Sequence, residues 1–180
     1  MAEQYPQLSD ELINWIPQQH VFFVATAAAD GRINLSPKGQ DSLRVLGPTE
    51  LLWLNLTGSG NETAAHIKAL NRMTLMWCAF DGLPNIVRVY GEAEIIHPRD
   101  SEWNSCAELL PAPLGARQYF RVNIDCVQTS CGYAVPMMDF KEDRQVLSKW
   151  SEKRGKDGIA DYWQEKNHTS IDGLPTGILQ

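Results

Sequence analysis

Leu54-Asn55-Leu56-Thr57-Gly58-Ser59-Gly60-Asn61-Glu62-Thr63-Ala64-Ala65-His66-Ile67 carries an apolar run through a glycine-rich turn into a helix-forming segment. The apolar run starts at Glu50 and is hydrophobic at nearly every residue to Leu56, which predicts a strand covered on both faces. A helix is expected from about Asn61 to Leu70. Ser59 and Glu62 have the spacing of a capping box, with Asn61 as the alternative cap. A strand that turns sharply into a helix aims free backbone N–H groups and the positive end of the helix dipole at one spot, which suits a phosphate. Gly58 and Gly60 let a ligand approach the backbone, and Thr57, Ser59 and Thr63 add hydroxyl donors. Tight turns need the same residue types for purely structural reasons. The segment also lacks P-loop spacing and a parallel βαβ context.

Outward from this turn, most of the chain reads as strand. Val21 to Ala28 is rich in β-branched and aromatic residues, and Asp30-Gly31 leads into Arg32 to Leu35 as a hairpin with a type I′ turn. Further strands are expected at Arg72 to Phe80, Asn85 to His97 and Arg117 to Val127. The last alternates, with Val122, Ile124 and Cys126 facing one way and Arg121, Asn123 and Asp125 the other. Helices are expected at Leu8 to Ile16, after Pro98 to Leu110, at Phe140 to Lys153 with Gly155 as the stop, and at Ile159 to Lys166. The tail to Gln180 reads as loop. Strands joined by short turns, with helices inserted, predict a mainly β fold: one antiparallel barrel domain over residues 1–180, with a helical extension from about 137.

Composition narrows the function. The chain has 180 residues, 43% of them apolar, and a formal charge of −6. A negative protein without a basic patch does not attract nucleic acid. No apolar run approaches the roughly 20 residues needed to span a bilayer, so no membrane partner is expected. The N-terminal residues do not read as an export signal, which makes the cytoplasm the expected location. Four cysteines and four histidines lie at no metal-ligand spacing, so no metal site is expected. Two further candidates for an anion site are Ser36-Pro37-Lys38-Gly39, with Lys38 as the charge, and Arg88 between Val87 and Val89. Both have an ordinary alternative as an exposed turn and an exposed strand arginine.

In order along the chain, Ser36-Pro37-Lys38-Gly39, the turn from Thr57 to His66, Asn71-Arg72-Met73-Thr74 and Val87-Arg88-Val89-Tyr90-Gly91 resemble the pyridoxamine 5′-phosphate oxidase-like split barrels that bind flavin mononucleotide (FMN). The likeness runs from about Val21 to Ile96. It implies an antiparallel split β-barrel, a homodimer and an FMN-binding flavoprotein acting as an oxidoreductase on a small molecule. The implied cofactor site draws on Ser36, Lys38, Gly39, Thr57, Ser59, Gly60, Asn61, Thr63 and Arg88; no catalytic residue is named. The two-sided apolar strands Leu51 to Leu56 and Met73 to Phe80 also suggest a dimer. The family often has basic residues after the phosphate turn, where this chain has Glu62 and Thr63. Glu62 is expected to fold back and cap the helix, leaving Arg72 or Arg88 to compensate. The tail Asn167 to Gly173 lacks the Arg/His signature of the vitamin B6 enzyme. The alternatives are a non-catalytic flavin or haem binder, in which His66 and His168 are of interest, and a barrel that has lost its ligand.

Overall fold

The computed structural model describes residues 2–179. Its elements, in order, are β1 (Glu3–Tyr5), α1 (Asp10–Trp15), a 3-10 turn, β2 (Phe22–Thr26), β3 (Asn34–Lys38), β4 (Leu43–Gly47), β5 (Glu50–Leu56), α2 (Glu62–Ala69), β6 (Met73–Cys78), β7 (Ile86–Ile96), α3 (Trp103–Leu109), β8 (Ala116–Ser130) and α4 (Val146–Lys166). One sheet, antiparallel in every pairing, runs β3-β2-β6-β7-β8-β5-β4, and β1 pairs with the far end of β8. The strands at the two ends of this path, β3 and β4, follow each other in the chain but do not pair. The barrel is therefore split between them.

Two apolar clusters hold the sheet. Inside the barrel, Leu12 and Ile16 from the N-terminal helical segment meet Val24, Trp53, Leu75, Trp77, Val89 and Phe120. Trp53 stacks on Phe120 with centroids 4.7 Å apart. The second cluster lies on the other face of β5 and β8, where Leu52, Leu54 and Tyr119 pack against Cys106 and Leu110 at α3. This explains the double-sided apolarity of β5: the barrel interior covers one face and α3 the other. The apolarity of Leu51 to Leu56 is thus satisfied within one chain and no longer argues for a dimer.

Several expected elements shift. Thr26 pairs with Asn34, so residues 27–33 form a longer loop in place of a two-residue turn. Only Gly31 of the Asp-Gly pair has positive φ, at 92°, whereas a type I′ turn needs both central residues there. Residues 137–145 carry no helix, and α4 starts at Val146. Gly155 interrupts α4 as expected, with φ 67° and ψ 178°, but helix resumes directly after it. In β8 the ladder to β7 skips Asp125, because Tyr90 pairs with Cys126 and Gly91 with Ile124. An extra residue reverses the facing of the strand beyond it. Val127 is therefore buried and Cys126 half-exposed, so Cys126 does not share the face of Val122 and Ile124.

Candidate functional site

The split between β3 and β4 opens onto a cavity of about 1040 Å³, at the upper end of the range for small-molecule pockets. Its walls come from β3, β5, the turn into α2, the start of β8, residues 142–147 and the segment after α4. Alternation along β3 exposes Leu35 and Pro37 and turns Asn34, Ser36 and Lys38 inward. As an edge strand, β3 also leaves part of its backbone hydrogen-bonding capacity without a strand partner. Ser36, Lys38, Gly39, Thr57, Ser59, Gly60, Asn61 and Thr63 all line this one cavity.

Arg88 does not. It lies on β7 in a row with Met76 and Gln128, and its guanidinium donates to Ser130 Oγ at 3.2 Å. Arg72 is exposed and also outside the cavity. Neither compensates here for the missing loop bases. His66 is buried outside the cavity, with Nδ1 3.1 Å from Thr26 Oγ1, and His168 is exposed outside it.

The turn itself differs from expectation in detail. Asn61 is the N-cap residue but makes no side-chain capping bond, and no capping box forms. The Glu62 carboxylate accepts instead from the Ile171 N–H, with both oxygens at 3.1 Å. Thr57 is structurally committed: its hydroxyl donates to Gly115 O at 2.7 Å and accepts from Trp163 Nε1 at 2.8 Å. Thr63 Oγ1 accepts from Asn34 Nδ2 at 3.2 Å, which ties the helix start to β3. The N–H groups of residues 58 to 64 find no acceptor among the described residues. Asn61 Nδ2 and Trp53 Nε1, both buried on the cavity wall, are also without partners.

Sequence reasoning missed Arg117. It is 2% exposed on β8 and donates from Nη1 to Gly60 O at 2.7 Å and to Asn167 Oδ1 at 2.8 Å, and from Nη2 to Asn55 Oδ1 at 3.3 Å. Burial pushes its guanidinium well below the ordinary arginine range. Lys38 is pushed down to about 8, first by burial and then by the charge of Arg117. Glu62, Glu142, Asp143 and Glu165 also line the cavity, but among the described residues none forms an ion pair with either cation. The one signal available in sequence was an arginine followed by Gln118 at the head of an apolar strand, a position that becomes buried in the barrel wall.

The pyridoxamine 5′-phosphate oxidase sequence family matches residues 8–131 of this chain. A curated pyridoxamine 5′-phosphate oxidase family protein of Aspergillus flavus, ustO, is 35% identical over 191 residues, spanning 95% of this chain and 76% of that protein. The chain belongs to the pyridoxamine 5′-phosphate oxidase family. Solved structures agree in fold. A pyridoxamine 5′-phosphate oxidase-like protein of Lactobacillus delbrueckii is 27% identical, covers 68% of this chain and 94% of its own, and has a TM-score of 0.53. HupZ of Group A Streptococcus, 19% identical, covers 67% of this chain and 91% of its own at a TM-score of 0.53. HutZ of Vibrio cholerae, described as a haem storage protein, is 14% identical and covers 71% of this chain and 98% of its own at a TM-score of 0.50. At these identities the last two carry the fold alone. In this member of the family, the split-barrel fold expected from the sequence is the fold observed, and no helix among the described residues is long and apolar enough to cross a membrane.

Proposed function

We propose that the protein binds FMN in the cavity at the barrel split and acts as an FMN-dependent oxidoreductase on a small molecule. The observation that carries this reading is the pair of cations on the cavity wall, buried Arg117 and half-buried Lys38, neither of which pairs with a carboxylate among the described residues. A buried charge is costly unless an opposite charge meets it, so the wall fits a ligand with a compact anionic end. The unpartnered N–H groups of the turn and Asn61 Nδ2 supply neutral donors at the same place. Lys38, Ser59, Gly60 and Asn61 would hold the phosphate, while Thr57 and Thr63 shape the turn through bonds of their own. The edge of β3 at Ser36 and Gly39 would face the ring system. FMN, when bound, supplies the electron-transfer chemistry, and the protein binds, orients and shields it.

The same reading includes a homodimer. Ile33 and Leu35 at and beside β3 are 79% and 65% exposed, and Tyr133, Met137 and Met138 after β8 are 83%, 79% and 55% exposed. A subunit contact over these side chains would take them out of water. The half-exposed row of Met76, Arg88 and Gln128 is a further candidate for the subunit contact, which would give Arg88 its role there.

Freshly purified protein is expected to be yellow, with a flavin absorbance spectrum. The colour should bleach with NADH or NADPH and return with an oxidant. Colourless protein that also fails to quench added FMN fluorescence overturns the flavin reading, and a Soret band would replace it with haem. Light scattering at micromolar concentration should give twice the chain mass of 20.2 kDa; a monomer removes the dimer from the proposal.

A further inference from the structure

We infer that Arg117, from β8, is the charge anchor for the terminal phosphate of the bound flavin, and that Asn167, at the end of α4, positions it. This deepens the FMN reading and rests on it. The turn that meets the phosphate has no base of its own, and its one charged residue, Glu62, accepts from Ile171 N with Oε1 only 3.1 Å from where a Gly60 side chain would begin, so it adds negative charge beside the turn. Positive charge must reach the turn from elsewhere in the fold. Arg117 runs directly beneath it: Nη1 holds Gly60 O at 2.7 Å, and Nη2 lies 3.8 Å from where a Gly58 side chain would begin.

Every acceptor that Arg117 meets is neutral: Gly60 O, Asn55 Oδ1 and Asn167 Oδ1. Its Nε has no partner among the described residues. Structural buried arginines are typically neutralised by a carboxylate; this one is oriented but left charged. Next to it are the unpartnered Asn61 Nδ2 and the free N–H groups of residues 58 to 64. A cation with no carboxylate paired to it and several unpartnered donors converge here, and a phosphate monoester meets both needs.

Asn167 fixes this arrangement. It is fully buried, its Oδ1 accepts from Arg117 at 2.8 Å, and its Nδ2 donates to Gly58 O at 3.1 Å. One amide therefore bridges the guanidinium and the turn. Thr176 Oγ1 donates to the Asn167 carbonyl at 2.7 Å, so the segment after α4 is itself held in place. An amide orients the arginine without discharging it, whereas an aspartate here would neutralise it.

The test compares FMN with riboflavin, which has the same ring and no phosphate, in the full-length protein and in Arg117→Met and Asn167→Asp. FMN affinity is expected to fall by roughly 10- to 100-fold in Arg117→Met and about tenfold in Asn167→Asp, with riboflavin changing less than about twofold in both. Equal losses for the two flavins, or unchanged FMN affinity in both variants, overturns the inference. Asn167→Asp is nearly isosteric and keeps the test open should Arg117→Met fail to fold. Inorganic phosphate provides a readout independent of flavin. It should raise the melting temperature of the unaltered protein and not of the variants. If the unaltered protein binds neither flavin yet shows this protection, the anchor stands and the FMN reading falls. If phosphate protects all three proteins equally or none, the anchor falls.

Discussion

Lys38→Met will weaken FMN binding by roughly 10- to 100-fold at pH 7 and remove most of its pH dependence above that point. The size is that of a lost charge-assisted contact, about 1.5–3 kcal/mol. Methionine keeps an unbranched apolar stem and removes the ammonium, which stands 5.3 Å from the Trp53 ring centroid, so the change is mainly one of charge. The sign of the pH effect comes from the lowered Lys38 value of about 8, caused first by burial and then by Arg117. Below that value the amine is charged and attracts the phosphate, which is a dianion from about pH 7 upward. As pH rises through 8, the ligand-free protein loses the charge, and affinity should fall by up to about tenfold per unit. Fluorescence titrations between pH 7 and 9.5 will show a sloping line for the unaltered protein and a flat, weaker one for the variant. Two superimposable flat lines would remove Lys38 from the phosphate site.

Gly91→Ala will destabilise the fold by about 3 kcal/mol or more, a fall in melting temperature of roughly 6–12 °C for a domain of this size. Gly91 sits where β7 meets the bulge of β8, and a Cβ there would lie 2.0 Å from the Asn123 carbonyl oxygen. The obstacle is backbone in the longest ladder of the sheet, so no side-chain rotation relieves it. Gly47→Ala, where an added Cβ meets nothing within 4 Å, is the control and should change stability by less than about 0.5 kcal/mol. Thermal denaturation of both variants decides the matter, and matching curves would mean that the close approach at the bulge does not constrain the fold.

The strands that carry the core were legible because their residues are apolar on one or both faces and are bounded by turn residues. β2, β5, β6 and β7 all declare themselves in this way. β1 and β4 do not. Glu3 to Tyr5 is exposed throughout, and every residue of Leu43 to Gly47 is half-buried, so neither shows an alternation that distinguishes a strand from a loop. The facing of Cys126 was misread because a bulge leaves no mark in residue spacing. At the site, the turn and Lys38 were recognisable from local chemistry. Arg117 was not, because what sets it apart is the lack of a carboxylate in three dimensions, and that cannot be seen along one strand. The tail read as loop because it has little regular structure; yet Asn167, Ser170 and Thr176 are buried, Asn167 through hydrogen bonds to Arg117 and Gly58 far away in sequence and Thr176 through one to Asn167.

The bridge that Asn167 makes from Arg117 to Gly58 joins parts of the polypeptide that leave the ribosome at very different times. Strands β2 to β8 can be synthesised and begin to pair while residue 167 is still inside the exit tunnel. During that interval the arginine lacks the amide that directs it. Full grip on the phosphate therefore waits until residue 167 has emerged, and arrested nascent chains that stop short of it should bind FMN about tenfold more weakly than chains that include it.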